Sequence, residues 1–577
     1  MITEKFYKLF LLTSSVLLLI SCGDEDNKED FPLQENDVKT YIKSLEKENG
    51  ISYKEIKNLG AYIPSLCYTK TKDQNGKIHN PCYSCHTKGK IPNYINDSDL
   101  QPYYNFPKIM LKNPYTNLFT DKRQFVDNIS DEGILSYIRK SNYFDTDGKI
   151  KLKKTLPKGW KGYIPDCYFN FDDEGFDIDP FKNEYTGWRA FRYYPFLGTF
   201  WPTNGSTDDV LIRLPKEFMQ DENGNFNKEI YKINLAIVEA LVKQKDITTE
   251  ALDERVVNLD LNKDGKLGIV TEVKYTWDVD PSSMTYVGKV GELLKEGKIH
   301  LAGGLFPEGT EFLHTVRYID WDEEKDKPKL SNRLREVRYA IKKYWLSYAD
   351  LHSIAEKELM ETSDLGVNDF PKIETFGGNF ETGMDNGLGW YYLGFIEDKE
   401  GNLRPQTNEE TLFCMGCHGT IGATTDTIFS FPRKFEGSDK NSVLYGWGHW
   451  SQKDLSKVPE PIVEYLNFGK QYEYSFYLKN NNSGNEFRDN EEIIRKFFNN
   501  DGTIKEYMLQ KLHADISILL YPSKERALTL DKAYRYIVEN QSYIKGRAAN
   551  VSSINATVNK EVEPKQSTGI DVPIVKY

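Results

Sequence analysis

The segments Cys82-Tyr83-Ser84-Cys85-His86 and Cys414-Met415-Gly416-Cys417-His418 decide how this chain of 577 residues is read. Two thiols three positions apart reach the two vinyl groups on one edge of a porphyrin and form thioethers, and the histidine that follows swings beneath the iron. The spacing predicts one covalent haem on Cys82 and Cys85 with His86 as proximal iron ligand. It predicts a second on Cys414 and Cys417 with His418 in that role. With 7 cysteines and 8 histidines in the chain, one such pentapeptide arises by chance in roughly one sequence in a thousand. Two other uses of the cysteines stay open, a four-thiolate zinc site and a pair of redox-active disulfides. Neither needs a histidine directly after each pair.

The two pentapeptides resemble those of the c-type cytochromes. The resemblance covers the motifs and their immediate surroundings, and it implies redox use of two haems. It does not extend to the fold, because the chain is several times longer than a single small cytochrome domain. The motifs stand 332 positions apart, 82 to 414, so each haem is expected in its own chain neighbourhood.

The group on the other face of each iron decides between electron transfer and catalysis, since a second strong ligand saturates the metal. Six histidines remain: His79, His300, His314, His352, His449 and His513. His449, in Gly446-Trp447-Gly448-His449-Trp450, is the candidate distal ligand of the second haem, because its glycines let the backbone approach a flat macrocycle. His300 and His314 are candidates for the first, and His79, three residues before Cys82, is awkwardly placed for its own iron but a candidate for a neighbouring one. His352 and His513 fit apolar stripes and are expected in cores. Met384 is the methionine best placed on a loop. Arg404, Arg433 and Lys434 flank the second motif and are candidates for pairing with haem propionates.

The amino-terminal segment has Lys5 and Lys8, an apolar run from Leu9 to Ile20, and then Ser21-Cys22. That is a secretory signal, too short for a comfortable membrane span. Its ending resembles the lipobox of bacterial lipoproteins, which implies that Cys22 is acylated and serves as membrane anchor. The acidic run GDEDNKED, 23–30, is a solvated tether.

A 39% hydrophobic and 13% aromatic composition specifies a folded globular protein, and a net charge of −12 disfavours nucleic acid and anionic lipid as partners. Cys67 and Cys167 are left after the motifs and Cys22 are assigned. An even remainder in an oxidising compartment predicts a disulfide between them, against two buried free thiols. The echo of YIPSLCY and YIPDCYF suggests extended segments lying side by side. A further candidate is a structural calcium site at Asp260, Asn262, Asp264 and the Lys266 carbonyl, in the pattern of a calcium loop. Thr271 stands where that pattern wants glutamate, so a plain Asp/Asn turn is the alternative.

Apolar spacing predicts helices over 37–48 and 228–244, a long one over 331–361, and shorter ones near 490–498, 505–520 and 527–540. The turn signals DQNG, DTDG and DENG punctuate an irregular stretch from 60 to 225, with a short strand at 210–214. The aromatic stretch 186–206 is expected in the core, with the wall of a haem pocket as the alternative. The resulting expectation is an α+β, irregular, loop-rich fold with scattered helices and short strands. Its segments are a signal (1–22), a tether (23–36), a first haem region (37–225), a connecting region (226–330), a second haem region (331–545) and an extended or disordered tail (546–577).

Taken with the resemblances, these features imply a lipid-anchored cytochrome of the bacterial envelope, at the outer membrane, that exchanges electrons with redox proteins there. The rival reading is a di-haem oxidoreductase of the peroxidase type, in which one haem is catalytic. A third is a lipid-anchored subunit of a larger redox complex.

Overall fold

Most strand-forming segments between 176 and 405 pair into one antiparallel sheet in the computed structural model, which describes residues 37–197, 206–363, 371–481 and 490–577, while Ile247–Asp253 and Ile269–Val273 pair separately. Cys22, the signal and the tether lie outside the described residues. The strands are β1 (Phe176–Asp179), β2 (Glu184–Phe191), β3 (Thr207–Arg213), β4 (Glu311–Asp322), β5 (Lys327–Lys342), β6 (Gly377–Asn379), β7 (Gly383–Asp385), β8 (Trp390–Glu397) and β9 (Leu403–Pro405). Their order across the sheet is β1-β2-β3-β4-β5-β8-β7-β6, with β9 also paired to β8. The fold is α+β, and the sheet takes strands from the 37–225, 226–330 and 331–545 segments alike.

Alternation along a strand sends successive side chains to opposite faces. One face presents Phe191, Val210, Ile212, Phe312, Ala340 and Tyr392 to a core that includes Tyr62 and Ile63 together with Leu412 and Met415 of the helix that carries the second cysteine motif. This is the motif face. The far face presents Trp188, Ala190, Leu211, Leu313, Val337, Tyr339, Leu393 and Phe395 to a separate core that contains Cys167.

Helix Val38–Asn49 forms as its spacing predicts: the Asp37 carboxylate accepts the Thr40 N–H, and Gly50 ends it at φ 67°. Helix Lys228–Lys243 is buried almost all round rather than on one stripe. Its charges are matched inside the protein, for Lys243 lies 2.8 Å from Glu239 and Lys434 lies 2.9 Å from the same carboxylate. The late helices Glu491–Phe497, Glu506–Ala514, Ser517–Leu520 and Lys524–Glu539 follow the predicted spacing. No helix among the described residues is long and apolar enough to cross a membrane.

The long helix expected over 331–361 is replaced by strand β5 followed by a shorter helix, Tyr348–Ser363. Charges that read as a solvated helix face are buried on β5 and paired there. Arg333 meets Glu397 at 2.8 Å, Arg335 meets Asp531 at 2.9 Å, and Glu336 meets Arg547 at 2.7 Å.

The turn signals are one recurrent device. In DQNG, DTDG and DENG, and in DDEG at 172–175, the leading aspartate accepts the amides two and four residues on. Each closing glycine, Gly76, Gly148, Gly175 and Gly224, takes a φ between 78° and 83°, open to glycine without strain. The tail is extended and ordered. Residue 558 bridges to Thr69, Glu561 to Lys112 and Lys576 to Tyr465, so it straps the region around the first motif.

Candidate haem centre

A one-turn helix, Cys82–Ser84, carries the first motif, and the His86 amide closes it by donating to the Cys82 carbonyl at 2.9 Å. His86 Nδ1 lies 2.9 Å from Asp97 Oδ2, and Asp97 Oδ1 accepts the Thr87 amide at 3.0 Å. Burial alone would lower the His86 pKa, but the Asp97 carboxylate outweighs it and leaves it raised. Gln101 Nε2 donates to the His86 carbonyl at 2.6 Å and to the Ile574 carbonyl at 2.7 Å. Lys576 Nζ donates to the Ser84 carbonyl at 3.2 Å, which brings the strap onto the motif itself.

Helix Asn408–Met415 carries Cys414 at its end. It starts in a capping box between Thr407 and Glu410, and Arg404 grips Glu410 with two bonds of 2.8 and 2.9 Å. His418 Nδ1 donates to the Thr427 carbonyl at 2.9 Å, and Asn386 donates to the His418 carbonyl at 2.8 Å. The ring lies between Tyr392, at 4.9 Å, and Phe429, at 5.6 Å. Burial pushes the His418 pKa down to about 4, against the pull of the Thr427 carbonyl, so the imidazole is neutral at pH 7.

The two motifs are neighbours, contrary to the expectation of separate surroundings. The Ala423 amide donates to the Cys85 carbonyl at 3.2 Å, and the Gly422 amide donates to Asp97 Oδ1 at 3.2 Å. Glycine is required by close approach: a Cβ on Gly422 would sit 2.0 Å from the Thr87 carbonyl oxygen, and one on Gly416 would sit 1.8 Å from that of Tyr62. After burial, the largest influence on the Cys417 thiol is Cys85 of the other motif.

These residues fit haem c. A carbonyl acceptor at Nδ1 of His418 fixes the proton there and leaves the lone pair on Nε2, the arrangement expected of a metal-binding imidazole with an outer-shell partner. Asp97 holds Nδ1 of His86 in the same way. All four motif thiols are free. Burial raises Cys82 and Cys417 to about 12 and Cys85 to about 11, and all four motif thiols keep some accessible surface. They do not converge as a four-thiolate zinc site requires. Among the described residues, three or more Cys, His, Asp or Glu donors gather only at Asp172, Asp173 and Glu174, where Lys228 already reaches Asp172 and Glu174 at 2.6 Å. Bound here, haem c would supply one-electron chemistry at its iron.

Several sequence expectations are corrected. His449 does not face the second motif: its Nε2 lies 2.9 Å from Asp209 and its Nδ1 lies 2.7 Å from Ser451, and the ring stacks on Phe171. Asp209 points to the far face of the sheet, as its partner Thr315 does. Cys67 and Cys167 are both free thiols and cannot be joined, because Cys67 packs with the motif-face core and Cys167 lies in the far-face core. Met384 is a buried residue of β7, paired with Tyr392, and not part of a loop. Arg404, Arg433 and Lys434 already hold Glu410, Glu473 and Glu239.

His300, exposed, stacks on Trp345, and His513, half-buried, stacks on Tyr472, while His79 bonds Asp73 at 2.9 Å and His314 bonds Asp208 at 2.9 Å. His352 lies edge-on to Tyr94 with half its side chain exposed. At the calcium candidate, Asp260 accepts the amides of Asp264 at 3.2 Å and Gly265 at 2.9 Å, and Asn262 accepts that of Asp264 at 3.1 Å. Thr271 falls within the strand Ile269–Val273, so no carboxylate stands at the twelfth position. Asp97 and Thr427 escaped the sequence reading, since neither belongs to a motif.

The chain belongs to a family of lipoproteins: a family model described as "-like lipoprotein" matches residues 51–516. It is therefore a lipid-anchored protein of the cell envelope. One relative, an "Uncharacterized lipoprotein" of Aquifex aeolicus (strain VF5), is 32% identical over 599 aligned residues, which cover 91% of this chain and 93% of the relative. No solved structure matches the chain.

Proposed function

We propose that this lipoprotein is a di-haem c-type cytochrome, anchored at the outer membrane, that passes single electrons between redox proteins of the envelope. The observation that carries the reading is the join between the motifs, the Gly422 amide on Asp97 and the Ala423 amide on the Cys85 carbonyl. A fold that only needed two separate zinc or disulfide sites would have no use for seating one motif against the outer-shell carboxylate of the other. Asp97 and Thr427 orient the two proximal imidazoles and tune their basicity. Tyr392, Phe429 and the motif-face core exclude water around the second, which keeps its charge changes inside a low-dielectric interior.

The test is to make the full chain in cells with a competent c-type maturation system. Two haem masses per chain should survive denaturation, and a spectroscopic redox titration should resolve two one-electron couples. Purified mature protein without covalent haem, or with zinc in its place, overturns the reading.

A further inference from the structure

The strap delivers a buried ammonium group to the first motif. Lys576 Nζ donates at 3.2 Å to the carbonyl of Ser84, which lies between Cys82 and Cys85, across 492 positions of chain. The backbone of the same residue is fixed on the other side of His86. There the Lys576 amide donates to Thr87 Oγ1 at 3.0 Å, and the Thr87 hydroxyl donates to the Lys576 carbonyl at 3.1 Å. Hydrogen bonds on both sides of His86 thus set where the charge stands.

That charge is incompletely neutralised. The Lys576 side chain keeps 10% of its surface, and among the described residues its one ion-pair partner is Glu473, at 3.6 Å. The same carboxylate is already gripped by Arg433, at 3.1 Å through Oε1 and 2.8 Å through Oε2. Two cations therefore share one anion, and both lie over the ring of Phe196, at 4.4 and 5.0 Å. Glu460, which accepts the Ser475 amide and hydroxyl, adds little negative charge below neutrality, because burial pushes its pKa up to about 7. A half-matched cation in the interior is costly, and an apolar side chain at 576 would close the strap without it.

We propose that Lys576 raises the reduction potential of the first haem, and that the end of the strap is built to place its charge there. The inference rests on the di-haem reading above. When the first site takes one electron from a donor protein, its charge falls by one and no bond is made or broken. A fixed positive charge in a low-dielectric interior favours that reduced state. Asp97 acts with the opposite sign, its carboxylate 2.9 Å from His86 Nδ1. The first site is thus set by two opposed charges, whereas His418 of the second meets a neutral carbonyl at Nδ1. Glu473 is a positioning residue that also limits the field of the two cations.

The experiment is a spectroscopic redox titration of the haem-loaded full chain and its variants at about pH 6, well below the ordinary lysine pKa. Lys576→Met should lower the equilibrium constant for reducing one haem about tenfold, the effect of one unit charge inside the protein, and move the other haem less. The haem that moves should be the one that Asp97→Asn moves, in the opposite direction. Lys576→Arg keeps the charge and should stay nearer the parent, which guards against a folding defect in the methionine variant. Glu473→Gln should make the same haem easier to reduce, whereas water admitted by a loosened strap would shift both variants the same way. No shift in Lys576→Met overturns the proposal. So does a shift confined to the other haem, or one in the same direction as that of Glu473→Gln. Absence of any covalent haem in the parent overturns the underlying reading as well, and the haem mass alone tells the two failures apart.

Discussion

The amide of Gly422 donates to the Oδ1 of Asp97 at 3.2 Å, and the same carboxylate holds the imidazole of His86 through its other oxygen. One buried side chain thus ties the loop after the second motif to the histidine of the first. Asp97→Asn keeps an acceptor for the amides but loses the anionic partner of Nδ1. In the haem-loaded protein the less basic imidazole should raise the midpoint potential of one couple and leave the other nearly in place. Redox titration of parent and variant reads this directly. Equal shifts of both couples, or none, would contradict the assignment of Asp97 to His86.

Gly416 and Gly422 are predicted to be intolerant of a single methyl group. The carbonyls at 1.8 and 2.0 Å from the added carbon are backbone and cannot swing away. Gly416→Ala and Gly422→Ala should each cost about 2–4 kcal/mol of stability or abolish folding. Gly268→Ala, where nothing lies within 4 Å, is the control and should melt close to the parent. Thermal unfolding of the three variants side by side makes the comparison.

Arg404 is fully buried and paired with Glu410, whose carboxylate also accepts the Thr407 amide in the capping box of the helix that presents Cys414. Arg404→Met strands that carboxylate in the interior. A loss of about 3–5 kcal/mol is expected, measured by urea unfolding at constant pH. A variant as stable as the parent would show that Glu410 finds another partner.

Burial pushes the Glu460 pKa up to about 7, with the Ser475 amide and hydroxyl pulling it down and Glu473 adding to the rise. The folded protein then holds a proton that the unfolded chain releases near pH 4.3. Glu460 stabilises the fold fully below that lower value, and the contribution fades as pH rises through 7. Glu460→Gln should therefore gain stability on the parent between pH 4.5 and 7.5, by on the order of 1–3 kcal/mol at the upper end. Paired denaturation curves across that range check the sign, and a constant difference between the two proteins would refute it.

Cys67 and Cys167 lie on opposite sides of the sheet, and burial raises both thiols well above the ordinary value. Alkylation of native protein should spare both. After unfolding without reductant each should label as a separate free thiol, and a bridged peptide in the digest would contradict the structure.

Much of the scaffold was legible in the sequence because local signals agreed with it. Asp37 and Gly50 mark the ends of the first helix, and Asp-to-Gly turns recur at 73–76, 145–148, 172–175 and 221–224. Strand β5 was not legible, since Arg333, Arg335 and Glu336 look solvated until Glu397, Asp531 and Arg547 arrive from remote segments. The cysteine motifs announced themselves, but their adjacency did not. It rests on Asp97 meeting Gly422, a bond between residues 325 positions apart. His449 misled for a related reason: glycines and tryptophans describe a place where backbone comes close, and here the close partner is the end of strand β2, where Gly446 and Gly448 bond while Trp447 turns to the motif face and His449 to the other.

The strap has a consequence for the order in which the protein is built. Thr87 Oγ1 donates to the Lys576 carbonyl across 489 positions of chain, and Ile574 bonds Gln101 across nearly as many. A contact of that span forms late, after shorter loops have closed. The wall beside Cys82 and Cys85 is therefore missing until the last residues of the chain have been made and brought back, and on the proposed reading haem attachment at those two thiols would precede the closing of the strap.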